Sequence, residues 1–365
     1  MANITIPPTT DTPTYDYTFN FYFNFLFGLT SRTFGVAGNI LNIIVLTRPK
    51  MKNPNTLILT WMAVADLCNL LIGLPKFVWQ ANESSFAPSK KTDLGFNIYF
   101  KFIILTFAYV FIMAMNWLTV LLTAFRYIAV CWPTKVTTWS SSKRTKISIG
   151  LIYLISLLVF GENLLNNAVG PKNKNGKIVM DIIKGPLNSP VYNIVYNSFQ
   201  TGVGLFLPCI ICIILTIRVI VGVRQANNKI AAMTVQGVKA DVENEMMIKR
   251  KKQENQMTAL LLLIVFVYVI CDVMLCIRYI IRSTLGLKKY YNYLNGYEVF
   301  DSISTYLITF NSSINFVLYS AANKQFRKIC FKTFCCKSTS HISEGNSTNK
   351  THPNTNDVRT AVSAT

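Results

Sequence analysis

Few ionisable side chains lie inside the apolar sequence, and each implies a particular kind of chemistry. Arg126 ends an uncharged run and opens RYIAVCWP, residues 126–133. A guanidinium at the end of a hydrophobic segment needs water or an acid on a neighbouring segment. Asp66 sits in LTWMAVADL and Asp272 in VICDVMLC. Carboxyl groups so placed mark ion sites, proton sites or hydrogen-bond networks. Asn39, Asn311 and Asn315 bring amides into similar runs. Asp66, Asp272, Asn39, Asn311 and Asn315 are therefore candidates for one intramembrane polar cluster. Catalysis by histidine is excluded, because His341 and His352 both fall in the polar tail. The nine cysteines lie in apolar runs or in the basic segment after the last run. That distribution offers no framework of disulfides in the polar connections.

The elements that must position these groups are long apolar helices. The chain has 365 residues, is 51% hydrophobic and carries a formal charge of +20. Its apolar runs reach the roughly 20 residues that cross a ~30 Å hydrocarbon layer. Seven are expected, over roughly 23–47, 55–79, 97–131, 145–165, 191–221, 256–282 and 295–319. The expected fold is an all-α membrane protein, a seven-helix bundle over 23–322. A tail over 1–22 precedes it. A short amphipathic helix over 323–337 and a polar tail over 338–365, expected to be disordered, follow it. The first 22 residues lack a charged start before a short apolar core, so they do not read as a cleaved signal peptide.

Positive charge chooses the orientation. Arg48, Lys50, Lys52, Lys135, Lys143, Arg144 and the KRKK run at 249–252 collect on one side. That side is cytoplasmic, which puts the N-terminus outside and the C-terminus inside. Asn3 and Asn82 head glycosylation sequons on the outer side. Cys335 and Cys336 follow a basic amphipathic stretch and are candidate palmitoylation sites.

With Arg126 at the inner end of the third span, FRYIAVCWP resembles the Asp-Arg-Tyr segment of rhodopsin-like G-protein-coupled receptors. Gly38-Asn39, Asp66, Pro75, Pro208, the stretch NSSINFVLY over 311–319 and the basic NKQFRKICFKTFCCK extend the likeness. The closing stretch looks most like invertebrate receptors for FMRFamide-type neuropeptides. The resemblance implies a plasma-membrane signalling receptor with no enzymatic activity and no cofactor. Its partners would be an extracellular ligand, a heterotrimeric G protein, the lipid bilayer, and an arrestin and a receptor kinase acting on the tail. No nucleic acid is implied. Arg126, Tyr127, Asn315 and Tyr319 carry the switch by resemblance.

Several positions depart from the family pattern. Phe125 replaces the acid beside Arg126, and Glu254, at the start of the sixth span, is the candidate substitute. Asp272 replaces the usual tryptophan of the sixth span, and the proline two residues later is absent. The family's sodium pocket surrounds the Asp66 position, but Met115 stands where a hydroxyl ligand is usual. Lys101 occupies the place of a disulfide cysteine.

The ligand is narrowed by what the spans contain. The third span has no acid to hold an amine, and Thr309 occupies the opsin's Schiff-base place. The outer mouth offers Lys76, Gln80, Lys101, Tyr109 and Gln200. The sixth and seventh spans add Arg278, Tyr279, Arg282, Tyr297, Glu298 and Asp301. Mixed charge with tyrosines suits a short peptide with amide and ionic groups. The alternative ligand is a small acidic metabolite or lipid held by Lys76, Arg278 and Arg282. A channel or transporter would need more intramembrane charge or broken helices in paired positions.

Overall fold

The structure is a computed structural model, and it describes residues 23–85, 95–174, 177–184, 189–235, 256, 258–281 and 297–335. The helices begin where a short polar side chain can satisfy the free N–H groups of a first turn. Asn53 Oδ1 accepts from the Thr56 N–H at 2.9 Å, and Thr56 Oγ1 accepts from the Asn53 N–H at 3.0 Å. This reciprocal cap, with Pro54 in the first helical position, opens the second span, Pro54–Ser85. Ser141 caps the fourth, Ser142–Asn166. Ser189 accepts from the Tyr192 N–H at 3.1 Å ahead of Pro190 and opens the fifth. Asn323 does the same for the short final helix, Lys324–Cys335.

Six of the described helices are long and apolar enough to cross a membrane. They include the third span, Gly95–Cys131, and the sixth, Thr258–Ile281. The seventh, Tyr297–Ala322, packs on the first, Leu29–Leu46, and on the second. The architecture is the expected all-α bundle. Two helices outrun their expected limits: the second continues to Ser85 and the fifth to Val235. No glycine or proline lies between 80 and 85, so nothing in the backbone stops the helix at the end of the apolar run.

The connection after the fourth span is a hairpin. Strands β1 (Asn167–Lys174) and β2 (Lys177–Lys184) pair antiparallel, with Lys174 opposite Lys177. That register leaves Asn175-Gly176 between them, the dipeptide that two-residue hairpin connections favour.

The largest core cluster lies in the inner half. Leu46, Ile58, Leu122, Phe125, Ile149, Leu261 and Tyr319 meet Phe326 of the final helix there. Arg327 Nη1 donates to the Ser320 and Ala321 carbonyls, which closes the end of the seventh span. Phe331 and Phe334 point outward from the same helix, as a helix lying on the bilayer surface requires.

Glycines let the first and seventh spans approach closely. A Cβ on Gly38 would stand 2.9 Å from Phe316 Cβ. Small residues at helix contacts allow this in lipid, where packing and hydrogen bonds replace the hydrophobic drive.

The fifth span carries a π-helical turn, Gly202–Phe206, just before Pro208. Proline has no N–H to give the carbonyl one turn earlier, which is that of Gly204. Asn116 of the third span supplies it, Nδ2 donating to the Gly204 carbonyl at 2.8 Å. Trp117 Nε1 donates to the Val203 carbonyl at 3.1 Å. The π-turn thus exposes backbone acceptors, and two third-span side chains use them.

This linkage gives a signed test. Asn116→Leu leaves the Gly204 carbonyl bare and lowers stability by about 1 kcal/mol. In a Pro208→Ala background the restored N–H reduces that penalty. Melting of the four detergent-purified variants measures both; an equal loss in both backgrounds would refute the linkage.

Candidate functional site

The centre of the bundle joins the first, second and seventh spans through amides. Asn39 Nδ2 donates to the Gly35 carbonyl at 2.9 Å and across to the Ser312 carbonyl at 2.7 Å. Asn315 Nδ2 donates to Asp66 Oδ2 at 2.7 Å, with Asp66 fully buried. Asp66 and Asn315 are thus joined directly, and Asn39 meets the seventh span one turn away, at Ser312. Asn311, half-buried on the same helix, makes no hydrogen bond to them among the described residues.

Asp272 does not join this group. Its Oδ2 accepts from the Tyr268 hydroxyl at 3.3 Å, one turn earlier on its own helix. Residues four apart share a helix face, and that face meets the fifth span near Cys209 and Cys212. The described bonds thus fall in two groups, one joining the first, second and seventh spans and one within the sixth.

Asp66 Oδ1 and Asn39 Oδ1 are buried without a hydrogen-bond partner, as are both amide atoms of Asn42. Buried atoms of this kind call for ordered water. A sodium ion, which the resemblance brings into question, would want a shell of oxygens, as hard cations do. Met115 presents sulfur instead, and the Ser312 hydroxyl turns to that sulfur at 3.7 Å. Among the described residues no group of three or more His, Cys, Asp or Glu side chains could hold a metal.

At the inner end Phe125 and Arg126 are both largely buried. Phe125 packs into the large apolar cluster, so the family's acid is replaced by a core residue. Tyr127 lies against Trp132 with ring centroids 6.3 Å apart, and Lys135 Nζ stands 4.4 Å over that indole. Tyr319 is buried against Phe326, 5.8 Å between centroids. Glu254 lies outside the described residues, as do Asn3 and Cys336.

At the outer end Arg278 Nη1 donates to Thr305 Oγ1 at 3.0 Å, tying the sixth span to the seventh. Tyr279 packs beside Leu205 and Leu275. Two mouth candidates instead have their described contacts with the fourth span. Tyr109 stacks on Phe160, centroids 5.6 Å apart and planes at 15°. Gln200 is buried and its Nε2 donates to the Val159 carbonyl at 2.9 Å. Lys76, Gln80, Lys101, Tyr297, Glu298 and Asp301 lie on helices, but their side chains are outside the described set, as are those of Asn82 and Cys335. Arg282 lies outside it altogether.

Asn116, Trp117 and Asn42 were not singled out from sequence. For Asn116 the available signal was Pro208, which frees a carbonyl one turn earlier for some side chain to meet.

The Asp66–Asn315 bond has a measurable coupling. Asp66→Ala and Asn315→Ala each lower the melting temperature, because each strands a buried polar partner. The double variant loses less than the sum, with a coupling of about 0.5–3 kcal/mol. Strict additivity would show that the two groups do not support each other.

The family model "7 transmembrane receptor (rhodopsin family)" matches residues 38–319. The chain is 23% identical over 314 residues to a probable G-protein coupled receptor of Caenorhabditis elegans, covering 84% of this chain and 68% of that one. It is 24% identical over 315 residues to neurotensin receptor type 1 of Homo sapiens, covering 83% and 73%. With the FMRFamide receptor of Drosophila melanogaster it shares 24% identity over 313 residues, 82% of this chain and 51% of that one. The match spans most of the bundle, from Gly38 beside the first-span amide to Tyr319 at the inner end of the seventh span. The chain is a multi-pass membrane protein that belongs to the rhodopsin family of seven-transmembrane receptors.

Proposed function

We propose that the chain binds a short extracellular peptide and in response activates a heterotrimeric G protein. The observation that carries the ligand class is the sequence of the outer helix ends, mixed in charge and rich in tyrosine, together with the acid-free third span. No Asp or Glu occurs between Gly95 and Cys131, so no third-span carboxylate is there to take an ammonium group. Arg278 and Thr305 meet at the outer end of the sixth and seventh spans, where amide and ionic groups of a peptide would find partners. Glu298 and Asp301 are the acids for a cationic peptide residue, through a charge-assisted bond. The similarity to receptors named for neurotensin and for FMRFamide supports the same ligand class.

Arg126 and Tyr319 form the inner floor that meets the G protein once the sixth span moves outward. With Phe125 buried, Glu254 takes over as the resting partner of Arg126. The KRKK run at 249–252 adds contacts to the G protein or to anionic headgroups, about 1 kcal/mol per charge near the surface. Asn3 and Asn82 carry glycans outside, and Cys335 and Cys336 carry palmitate inside.

The test is a screen at the cell surface with G-protein activation reporters. Pools of amidated neuropeptides, amines and organic acids are applied separately. A saturable response to a peptide pool alone is expected. A response to the acid pool alone would replace the peptide with a small anion held by Lys76, Arg278 and Arg282. In the same cells Glu254→Gln raises the unstimulated signal; an unchanged baseline would remove the Arg126–Glu254 pair.

A further inference from the structure

The outer ends of the fourth and fifth spans are joined by a seam of polar and aromatic groups. The Tyr192 hydroxyl donates to Glu162 Oε1, and the Tyr196 hydroxyl donates to the Val159 carbonyl. Gln200 Nε2 donates to the same carbonyl at 2.9 Å. Tyr192, Tyr196 and Gln200 are spaced by four, so one face of the fifth span makes all three bonds. Along that face the Tyr192 and Tyr196 rings stack, with centroids 5.5 Å apart and planes at 7°. Phe199 continues the row, 6.3 Å from Tyr196 and tilted by 36°. The seam lies on the outside of the bundle. Phe160 packs inward on Tyr109 of the third span. Glu162 follows two positions later, which at about 100° per residue turns it nearly opposite. Leu158 and Leu165 on the fourth span and Val191, Ile194 and Val195 on the fifth are exposed around it, as side chains that meet acyl chains are. Glu162, Tyr192 and Tyr196 are half-buried and Phe199 is exposed. Among the described residues Tyr192 gives the Glu162 carboxylate its one hydrogen bond, and no lysine or arginine pairs with it. A carboxylate on a lipid-facing seam calls for a cation.

We propose that this seam binds the choline headgroup of a phospholipid in the outer leaflet. A quaternary ammonium has no N–H, so it gains from ring faces and a nearby carboxylate rather than from hydrogen bonds. The seam supplies both, the rings from the fifth span and the acid from the fourth. Rings with centroids 5.5 Å apart leave no space for a cation between them. The ammonium therefore sits on an outer face of the aromatic row, within about 6 Å of a ring centroid and beside Glu162. The tyrosines occupy the first turns of the fifth span, Pro190–Thr201, at the headgroup depth where amphipathic rings gather. Exposed Leu165 and Val191 then meet the upper acyl chain. The chemistry ranks the lipids. A glycerol headgroup brings no cation and leaves the lipid phosphate facing Glu162 uncompensated. An ethanolamine headgroup brings a cation, but its N–H groups lose water and the ring faces replace it poorly. The bound headgroup bridges the fourth and fifth spans and needs no extracellular ligand.

The experiment uses the full chain, purified in a maltoside detergent and given equal amounts of phosphatidylcholine, phosphatidylethanolamine and phosphatidylglycerol. Native mass spectrometry counts the lipids it retains. Phosphatidylcholine is expected to be retained most and phosphatidylglycerol least. Glu162→Gln keeps an acceptor for Tyr192 but removes the charge. It is expected to lower phosphatidylcholine retention about fivefold without lowering that of phosphatidylglycerol. Phe199→Leu loses a ring face but no hydrogen bond and lowers retention in the same direction, which keeps the test open should Glu162→Gln fail to fold. A phosphatidylcholine with a photoreactive diazirine high on its acyl chain is expected to mark peptides containing 158–165 or 191–199. Equal retention of the three lipids, or unchanged phosphatidylcholine retention in both variants, would reduce the seam to an ordinary interfacial tyrosine belt and overturn the proposal. So would a Glu162→Gln variant that keeps its lipid but responds less to a cationic peptide, which would give the seam to the extracellular ligand.

Discussion

Hydrocarbon offers no hydrogen bonds, so every polar group carried into it must find its partner inside the bundle. That requirement organises the structure. Asn39 reaches the Ser312 carbonyl and Asn315 reaches Asp66, so the first, second and seventh spans form one connected unit. Asn116 and Trp117 take the carbonyls freed around Pro208, which ties the third span to the fifth. Tyr153 donates to the Trp61 carbonyl at 2.8 Å and hangs the fourth span on the second. The sixth span is tied at its outer end through Arg278 and Thr305. Its inner half enters the core through Leu260, Leu261 and Ile264. Apolar contact is non-directional, whereas a hydrogen bond fixes its geometry. The bond between Arg278 and Thr305 therefore fixes the outer end of the sixth helix against the seventh.

The departures from the family pattern follow the same logic. Replacing an acid by Phe125 removes a charge that would need a partner and adds a ring to the core. Burying such a side chain contributes about 1.5–3 kcal/mol. Arg126 then needs a restraint that does not come from its neighbour in sequence. At Met115 a thioether stands among buried oxygens and accepts from the Ser312 hydroxyl. Asp272 keeps an acid in the sixth span but is hydrogen-bonded by Tyr268, which shares its helix face.

Much of this was legible in the sequence. Apolar runs of span length gave the bundle, because crossing lipid forces helices of nearly fixed extent. Asp66, Asn39 and Asn315 were recognisable as polar groups that needed each other. What stayed hidden depends on how each helix is rotated about its axis. Asp272 was grouped with Asp66 because both are intramembrane acids, but its face turns to the fifth span. Tyr109 and Gln200 look like mouth residues until rotation directs them to Phe160 and Val159. The hairpin depends on a local signal instead, the Asn175-Gly176 pair between two stretches that can pair as strands.

The most direct measurement is nucleotide exchange on purified heterotrimeric G proteins by the full chain in lipid nanodiscs, with a peptide that the receptor binds. The account predicts faster exchange on at least one heterotrimer when peptide is present, and loss of that acceleration in Arg126→Ala with peptide binding retained. Peptide binding that accelerates exchange on none of the heterotrimers, or acceleration that persists without Arg126, would contradict it.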